Sequence, residues 1–130
     1  MVVMEVKGYE IRPHASLWEA DLQAAVLTGA DLAGANLYSA TLEGANLAGA
    51  NLPQAHLNSA NLVVTDLTGA DLTGADLYSA NLLRANLKGA NLSETDLAAA
   101  NLTEAVADEG TKWPDGFEPE MAGVIIEVGL

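Results

Sequence analysis

Leucine recurs at every fifth position along most of this chain, and the positions around it repeat as well. Between residues 15 and 105 the sequence reads as eighteen five-residue repeats, such as ADLAG, ANLYS and ATLEG. Alanine or threonine lies two residues before each leucine, and mostly Asn or Asp lies one residue before it. On an α-helix this period rotates successive leucines by about 140°, so they form no stripe, and an odd period conflicts with the alternation of a strand. The pattern therefore excludes both a continuous helix and a continuous strand.

Each repeat is predicted to contain one short extended piece and one corner. The alanine and the leucine point inward, the residue between them points outward, and the two residues after the leucine turn the chain. Pro53 suits the second position of its corner, and a type II turn needs a positive φ at the third, which glycine accepts without strain. Corners without glycine, such as those at Val64, Arg84 and Glu94, are expected to use another turn type. Seven corners carry the glycine: Gly29, Gly34, Gly44, Gly49, Gly69, Gly74 and Gly89.

The tandem A(D/N)LXX motif resembles the repeats of the pentapeptide-repeat proteins, and the resemblance extends over residues 15–105. It implies an all-β fold, a right-handed quadrilateral β-helix in which four repeats make one coil, with about four and a half coils here. The sequence itself supports a coil of twenty residues, because LYSA at residues 37–40 returns at residues 77–80. At ~4.8 Å per coil the column would be roughly 22 Å tall.

The leucines are expected to form four buried columns packed on the alanines, leaving no internal cavity and no pocket. The hydroxyls of Thr65 and Thr95, which replace alanine, are expected to donate to a backbone carbonyl inside. A charge at the middle of a column, as in Leu67→Asp, should prevent folding. The predicted core leucines are Leu22, Leu27, Leu32, Leu37, Leu42, Leu47, Leu52, Leu57, Leu62, Leu67, Leu72, Leu77, Leu82, Leu87, Leu92, Leu97 and Leu102.

Both ends of such a solenoid expose leucines and unpaired strand edges, so the flanking segments are expected to cap them. Residues 1–14 are predicted to form a short strand and turn at the upper end. The repeat frame is lost from Val106, and residues 106–130 are predicted to form a capping loop and tail, of which TKWPDGFEPEMAG resembles the C-terminal segments of many cyanobacterial members. The side chains suited to capping are Val2, Val3, Val6, Tyr9 and Ile11 above, and Trp113 and Phe117 below.

The outward Asn and Asp positions are predicted to form ladders between coils. In the column Asp31, Asn51, Asp71, Asn91 an amide separates the like charges and can donate to them. Two ion pairs between coils are also expected. Arg84 lies one coil before Glu104, and Lys88 would lie one coil before Asp108 if the repeat frame continued that far.

The composition limits the classes of partner. A net charge of −13 and a pI near 4.1 argue against nucleic acid or anionic lipid as a direct partner. Without cysteine there is no disulfide framework and no thiolate metal site. No apolar run reaches the ~20 residues needed to cross a bilayer, and the first fourteen residues lack the features of a signal peptide. A cytoplasmic protein without a membrane partner is the resulting expectation.

The residue types and their spacing do not indicate a catalytic site or a metal site. His56 lies one coil before Asp76, but no serine nucleophile accompanies the pair, so a surface ladder is favoured over a catalytic pair. An acidic cluster near the C-terminus does not match the spacing of an EF-hand loop, which favours a solvated loop over a Ca²⁺ site. We therefore expect no catalytic residue, no metal and no cofactor. The cluster consists of Asp108, Glu109, Asp115, Glu118 and Glu120.

The most informative surface feature is a column of aromatic residues. Trp18, Tyr38 and Tyr78, with Asn58 between the tyrosines, share one outward corner position at twenty-residue spacing. Such rings either anchor a protein partner or stack flat on one another and shield the backbone.

Two functions remain open from the sequence. The leading one is a non-enzymatic, rigid interaction surface for an unknown protein partner. The resemblance supplies the alternative, because some pentapeptide-repeat proteins bind bacterial type II topoisomerases such as DNA gyrase as acidic mimics of duplex DNA. The chain is expected to be a monomer or an end-to-end homodimer, and the apolar tail at Val124–Val128 is the favoured contact.

Overall fold

A computed structural model describes residues 4–129 of the chain. Strands β1 (Met4–Val6) and β2 (Tyr9–Ile11) form an antiparallel hairpin at the upper end. Strands β3 (Val106–Asp108) and β4 (Ile125–Glu127) form a parallel pair at the lower end, and a short 3-10 helix, Glu120–Ala122, precedes β4. Between the two sheets the repeats contribute single bridging residues, because each extended piece is too short to form a longer strand.

A ladder of parallel bridges stacks the coils on one another. Within residues 4–129 there are sixteen such bridges, and the first fifteen, from Ser16–Asn36 to Asn86–Val106, join residues twenty apart. Four repeats therefore make one coil, as predicted. The last bridge joins Asn91 to Lys112, which are twenty-one apart, so one extra residue enters the final coil.

The ladder continues beyond the point at which the sequence pattern stops. Residues 106–112, expected to lie in the capping loop, instead carry two further bridges, at Val106 and Lys112. Ala107 takes the inward place of a leucine and Thr111 takes that of an alanine, and both are buried. The expectation that the frame ends at Val106 is wrong, because small side chains fit these inward places without the leucine that marks them in the sequence.

The core is a single column of leucine and alanine side chains. From Leu22 to Leu92 every leucine of the repeat is fully buried, while Leu97 retains 9% exposure at the lower end. The expected hydroxyl contacts are confirmed: Thr65 Oγ1 donates to the Leu42 carbonyl at 2.8 Å, and Thr95 Oγ1 to the Leu92 carbonyl at 2.7 Å. Thr111 donates in the same way to the Leu87 carbonyl at 2.8 Å.

All eighteen corners have a positive φ at their third residue, whether or not that residue is glycine. The expectation of another turn type at Val64, Arg84 and Glu94 is therefore wrong, since their φ values of 56°, 58° and 62° resemble the 65–70° of the glycine corners. Each corner is closed by a bond from the N–H of the following alanine or threonine to the leucine carbonyl, as from Thr65 to Leu62 at 3.2 Å, whatever its third residue. In most corners the third residue also donates to the neighbouring coil, as Val64 does to the Leu83 carbonyl at 3.0 Å.

The two flanking segments lie against the ends of the core. In the upper hairpin Ile11 is buried and Val6 and Tyr9 are partly buried against the core, whereas Val2 and Val3 lie outside the described residues. Below, the rings of Trp113 and Phe117 stack with centroids 5.2 Å apart and pack on the core. Val124 is buried in the core, and the partly buried Ile126 packs against it.

Candidate partner-binding surface

The aromatic column lies along one corner of the solenoid. Trp18, Tyr38 and Tyr78 each follow a buried leucine, so the backbone of three different coils directs them outward. Their exposed fractions are 57%, 45% and 51%. The rungs of the ladder fix the vertical spacing, which places Trp18 about 14 Å from Tyr78 across three coils at ~4.8 Å each. The column is therefore a half-exposed aromatic stripe on a rigid support.

The rings of this column do not stack on one another. In the part of the chain that the structure describes, the one stacked aromatic pair is Trp113 with Phe117 at the lower end. The interpretation of the column as a shielding stack is therefore not supported. About half of the surface of each of these residues is left open to solvent.

Carboxylates outnumber cations around the column, and the one cation paired with them among the described residues is Lys7, 3.9 Å from Asp21 at the upper end. Residues 13–83 contain seven Asp or Glu and neither Lys nor Arg. At its lower end Asp76 Oδ1 accepts a hydrogen bond from the Tyr78 backbone N–H at 3.0 Å, and Asp96 is the bridge partner of Asp76 on the next coil. At its upper end Glu19 follows Trp18 directly and Asp21 lies three residues after it.

The Asn and Asp side chains turn mainly toward their own backbone. Thirteen of them accept a hydrogen bond from the backbone N–H two residues later, as Asp66 does from Thr68 at 2.9 Å. Among the described residues the predicted ladder contact occurs between Asp31 and Asn51, at 3.1 Å, and a similar one joins the amides of Asn81 and Asn101. The local bond prevails because the corner presents an N–H close to the side chain of the residue before the leucine.

One of the two expected ion pairs between coils is present. Arg84 Nη2 lies 3.2 Å from Glu104 Oε1, as predicted. Lys88 instead lies 3.0 Å from Glu127 Oε1 on β4, so its predicted pairing with Asp108 is wrong. The carboxylate of Asp108 is engaged elsewhere. Both ion pairs are exposed and contribute little to stability.

Asp108 organises the extra residue of the last coil. Its Oδ1 accepts from the backbone N–H of Gly89 at 3.0 Å and of Gly110 at 3.0 Å, and from the Thr111 hydroxyl at 3.3 Å. The Gly89 bond is the largest cause that lowers the pKa of Asp108; desolvation opposes it, and the weaker effects of the Gly110 and Thr111 bonds lower the pKa further. Sequence reasoning missed this arrangement, and the one signal that could have indicated it is Thr111, a threonine in a position that alanine usually takes.

The lower end carries two open depressions, which contradicts the expectation that the surface has no pocket. One, of about 280 Å³, is lined by Ser93, Glu94 and the loop from Trp113 to Asp115. The other, of about 400 Å³, is lined by the edge of the core at Leu97 and by the same loop as far as Phe117. Neither brings a histidine or lysine beside a nucleophile.

The remaining candidate residues for catalysis or metal binding do not form a cluster of reactive groups. His56 and Asp76 are bridge partners on a flat face, which places them in adjacent coils without an accompanying nucleophile. In residues 4–129 no three His, Cys, Asp or Glu side chains are placed to hold a metal ion. A helix long and apolar enough to cross a bilayer is likewise not found in these residues.

The repeats match a known family model. Residues 14–44, 35–74 and 80–108 match the model of the pentapeptide repeats, in eight copies. Among the curated proteins no sequence matches the chain. The comparison with solved structures gives the following similarities.

A pentapeptide repeat protein from the thylakoid lumen of Arabidopsis thaliana is 35% identical, with a TM-score of 0.67. The match covers 72% of this chain but 63% of the Arabidopsis protein, so the chain spans less than two thirds of that relative. A pentapeptide repeat protein from the cyanobacterium Cyanothece 51142 is 37% identical over 68% of this chain and 64% of its own, with a TM-score of 0.43. QnrB1, a plasmid-mediated fluoroquinolone resistance protein, is 22% identical over 82% of this chain and 57% of its own, with a TM-score of 0.53.

Proposed function

The chain belongs to the pentapeptide-repeat family and folds as a right-handed quadrilateral β-helix, and from this premise we propose that it is a non-enzymatic interaction protein. Its rigid column presents Trp18, Tyr38 and Tyr78 to a protein partner. The observation that carries the proposal is the alignment of three half-exposed aromatic side chains on one corner.

Physical considerations support an interface at this corner. Aromatic residues are enriched at the centres of protein interfaces, where they bury a large area at a small cost in side-chain entropy. The coils that carry the three rings are joined by backbone hydrogen bonds of 2.7–3.2 Å on either side. A surface held in this way needs little ordering when a partner binds, which favours affinity.

The proposal that the protein is not an enzyme rests on the distribution of its titratable groups. Catalysis needs several such groups converging on a concave site. Here His56 and Asp76 lie on a flat face, and the depressions near Trp113 are lined by carboxylates and by the Ser93 hydroxyl, with no histidine or lysine among the lining residues to activate it. We propose no cofactor and no metal for the same reason.

A pull-down from the native cell lysate tests the proposed function. The wild type is compared with Trp18→Ser/Tyr38→Ser/Tyr78→Ser, and with Val26→Ser/Val64→Ser, which removes exposed apolar side chains from other parts of the surface. Circular dichroism first establishes that all three proteins are folded. We expect a partner that the wild type and the valine variant retain and the aromatic variant loses. Equal retention by all three proteins would contradict the proposal.

Mimicry of DNA is the second candidate, and a net charge of −13 on a rod-shaped fold favours it. Its weakness is the placement of the carboxylates. Half of the eighteen, nine in number, fall within residues 94–127, at the lower end and not along the column. The similarity to QnrB1, at 22% identity, bears on the fold alone. A DNA gyrase supercoiling assay that shows inhibition or protection at micromolar protein would move this candidate to first place.

Two further properties remain predictions. An end-to-end homodimer would use the lower end, where β4 pairs on one side with β3 and Ile125 and Val128 are exposed. Light scattering tests the homodimer by comparing the particle mass of the full chain with that of a chain truncated after Gly123. A mass that is unchanged, apart from the residues removed, would count against the dimer. The cytoplasmic location stays a prediction as well, since the similar Arabidopsis protein is located in the thylakoid lumen.

A further inference from the structure

The aromatic column has an acidic subsite at each end. The lower one combines the exposed face of Tyr78 with Asp76, whose Oδ1 accepts from the Tyr78 N–H, and with Asp96 on the next coil. Bridged residues of adjacent coils lie at the spacing of neighbouring strands, ~4.8 Å, where like charges repel. Neither carboxylate takes part in an ion pair among residues 4–129. A cation placed between the ring and the carboxylates would remove this repulsion.

The upper subsite combines Trp18, the most exposed ring of the column, with Glu19 and Asp21. Its nearest cation is Lys7, whose Nζ donates to the Gln23 carbonyl at 2.6 Å and lies 3.9 Å from Asp21 Oδ1. Lys7 is thus held by a backbone carbonyl at the edge of this subsite, and Glu19 joins none of the ion pairs of the described residues. Exposed indole and phenol faces attract Lys and Arg side chains, and nearby carboxylates strengthen the attraction.

The distance between the two subsites favours a ligand in an extended conformation. Trp18 and Tyr78 lie three coils apart, about 14 Å. Side chains at positions i and i+4 of an extended strand point to the same face and are also about 14 Å apart, at ~3.4 Å per residue. Tyr38 lies between the subsites and leaves an apolar surface for the side chain at position i+2.

We propose that the aromatic column binds an extended basic peptide segment of the partner. One Arg or Lys stacks on Trp18 beside Glu19, and a second, four residues away, stacks on Tyr78 beside Asp76 and Asp96. The proposal rests on the proposed function and assigns the chemical class of the partner. Charge complementarity selects this occupant, because an acidic segment, a nucleic acid or an anionic membrane would be repelled by the same carboxylates.

The two tryptophans of the chain provide a selective readout. In a ¹H–¹⁵N NMR spectrum the full chain gives two indole N–H signals, one from the exposed Trp18 and one from Trp113, which is stacked on Phe117. A Trp18→Phe variant assigns them. The probe is the acetylated and amidated peptide Arg-Thr-Val-Thr-Arg, titrated at low salt. We expect the Trp18 signal to move with saturation and the Trp113 signal to stay in place.

Matched peptides and variants separate this site from general electrostatic attraction. We expect weaker binding of Arg-Thr-Arg-Thr-Val, whose arginines are two residues apart, and no binding of Glu-Thr-Val-Thr-Glu. Asp76→Asn/Asp96→Asn should weaken the first peptide about threefold to tenfold, the effect of losing exposed ion pairs. Asp66→Asn/Asp71→Asn removes the same charge from other faces and should leave the affinity unchanged. Asn occupies equivalent positions elsewhere in the repeats, so both variants are expected to fold.

The outcomes that overturn the inference are distinct from those that overturn the proposed function. An equal loss in both pairs of variants, equal affinity for the two arginine spacings, or a Trp18 signal that does not respond would each refute the basic peptide. A partner captured through the aromatic column in the pull-down would keep the proposed function in that case, with a ligand of other chemistry. Saturable binding with the expected selectivity supports the inference independently of the lysate.

Discussion

At the scale of the residue, the backbone conformation of a corner depends more on its place in the coil than on the identity of its third residue. Eleven of the eighteen third corner residues are not glycine, yet all have φ between 54° and 62°. A left-handed conformation costs a non-glycine residue about 1–3 kcal/mol, and a β-branched residue is the least suited to it. Val64 is such a residue, with φ of 56° and a side chain that is more than half exposed. The solenoid therefore stores strain in its corners, compensated by hydrogen bonds between coils.

Replacing Val64 by glycine should stabilise the protein. The relief of strain exceeds the entropy that glycine gains in the unfolded chain, and we expect a net increase in the free energy of unfolding of about 0.5–1 kcal/mol. Val63→Gly is the control, since residue 63 is not among those with positive φ; it gains flexibility and loses a partly buried side chain, so it should destabilise. Urea denaturation measures both. A loss of stability in Val64→Gly would show that the corner is unstrained.

The sequence predicted the inward residues well and the corners poorly, and the reason is physical. Alternation of Ala and Leu around one outward residue is dictated by burial, which each repeat displays in its own five letters. The positive φ at Val64 is one that local propensity disfavours for a β-branched residue, and it accompanies a bond to the Leu83 carbonyl, nineteen residues away, which the five letters of the repeat do not show. The aromatic column was visible in the sequence because the twenty-residue coil repeats it. That its rings stay unstacked depends on side-chain placement, which the repeat does not determine.

At the scale of the element, the last coil accommodates one extra residue. Asp108 makes this insertion stable by collecting the N–H groups of Gly89 and Gly110 on one carboxylate oxygen. The N–H of Gly89 would otherwise lack the carbonyl partner that the glycine corners above it have, such as Gly69 with the Lys88 carbonyl. This side chain replaces a missing backbone acceptor and so lets β3 continue the ladder.

The stabilising effect of Asp108 should depend on pH. Its pKa is lowered in the folded protein from the ordinary value of 3.8, chiefly by the Gly89 N–H, so the charged form is favoured by folding. The contribution to stability is therefore complete above the ordinary pKa and disappears as the pH falls through the lower folded pKa. We expect Asp108→Ala to lower the melting temperature at pH 7 and the deficit to shrink below pH ~4.

Glu118→Ala serves as the control for charge, because it removes a carboxylate from the loop below the last coil. Its effect on melting temperature should be smaller at pH 7. A deficit of Asp108→Ala that is the same at pH 7 and at pH 3 would show that the bonds to Gly89 and Gly110 do not depend on ionisation.

At the scale of the whole molecule, one continuous core carries every face. Leu67 is fully buried near the middle of the column, and its coil is hydrogen-bonded to the coils above and below. Leu67→Asp places an unpaired charge there, at a cost exceeding about 4 kcal/mol, which is a large part of the stability of a domain of this size. We expect no folded protein by circular dichroism. Ala98→Asp, at an exposed corner, adds the same charge and should remain folded.

The separation of core from surface explains how the molecule can carry a binding function at little structural cost. The leucines and alanines determine the fold, so the corner residues on the outside are free to vary. Trp18, Tyr38 and Tyr78 use that freedom, and the surrounding carboxylates add charge without entering the core. A partner is therefore expected to bind at the corner that carries Trp18, Tyr38 and Tyr78 and not at the other corners of the solenoid.

Site-specific photo-cross-linking in native lysate tests that claim most directly. A benzophenone amino acid replaces Tyr38 in one protein and Ala48, in the next-but-one repeat of the same coil, in the other. Circular dichroism establishes that both are folded. We predict a discrete cross-linked partner from position 38 and none from position 48. Equal cross-linking at both positions, or cross-linking at position 48 alone, would contradict the account.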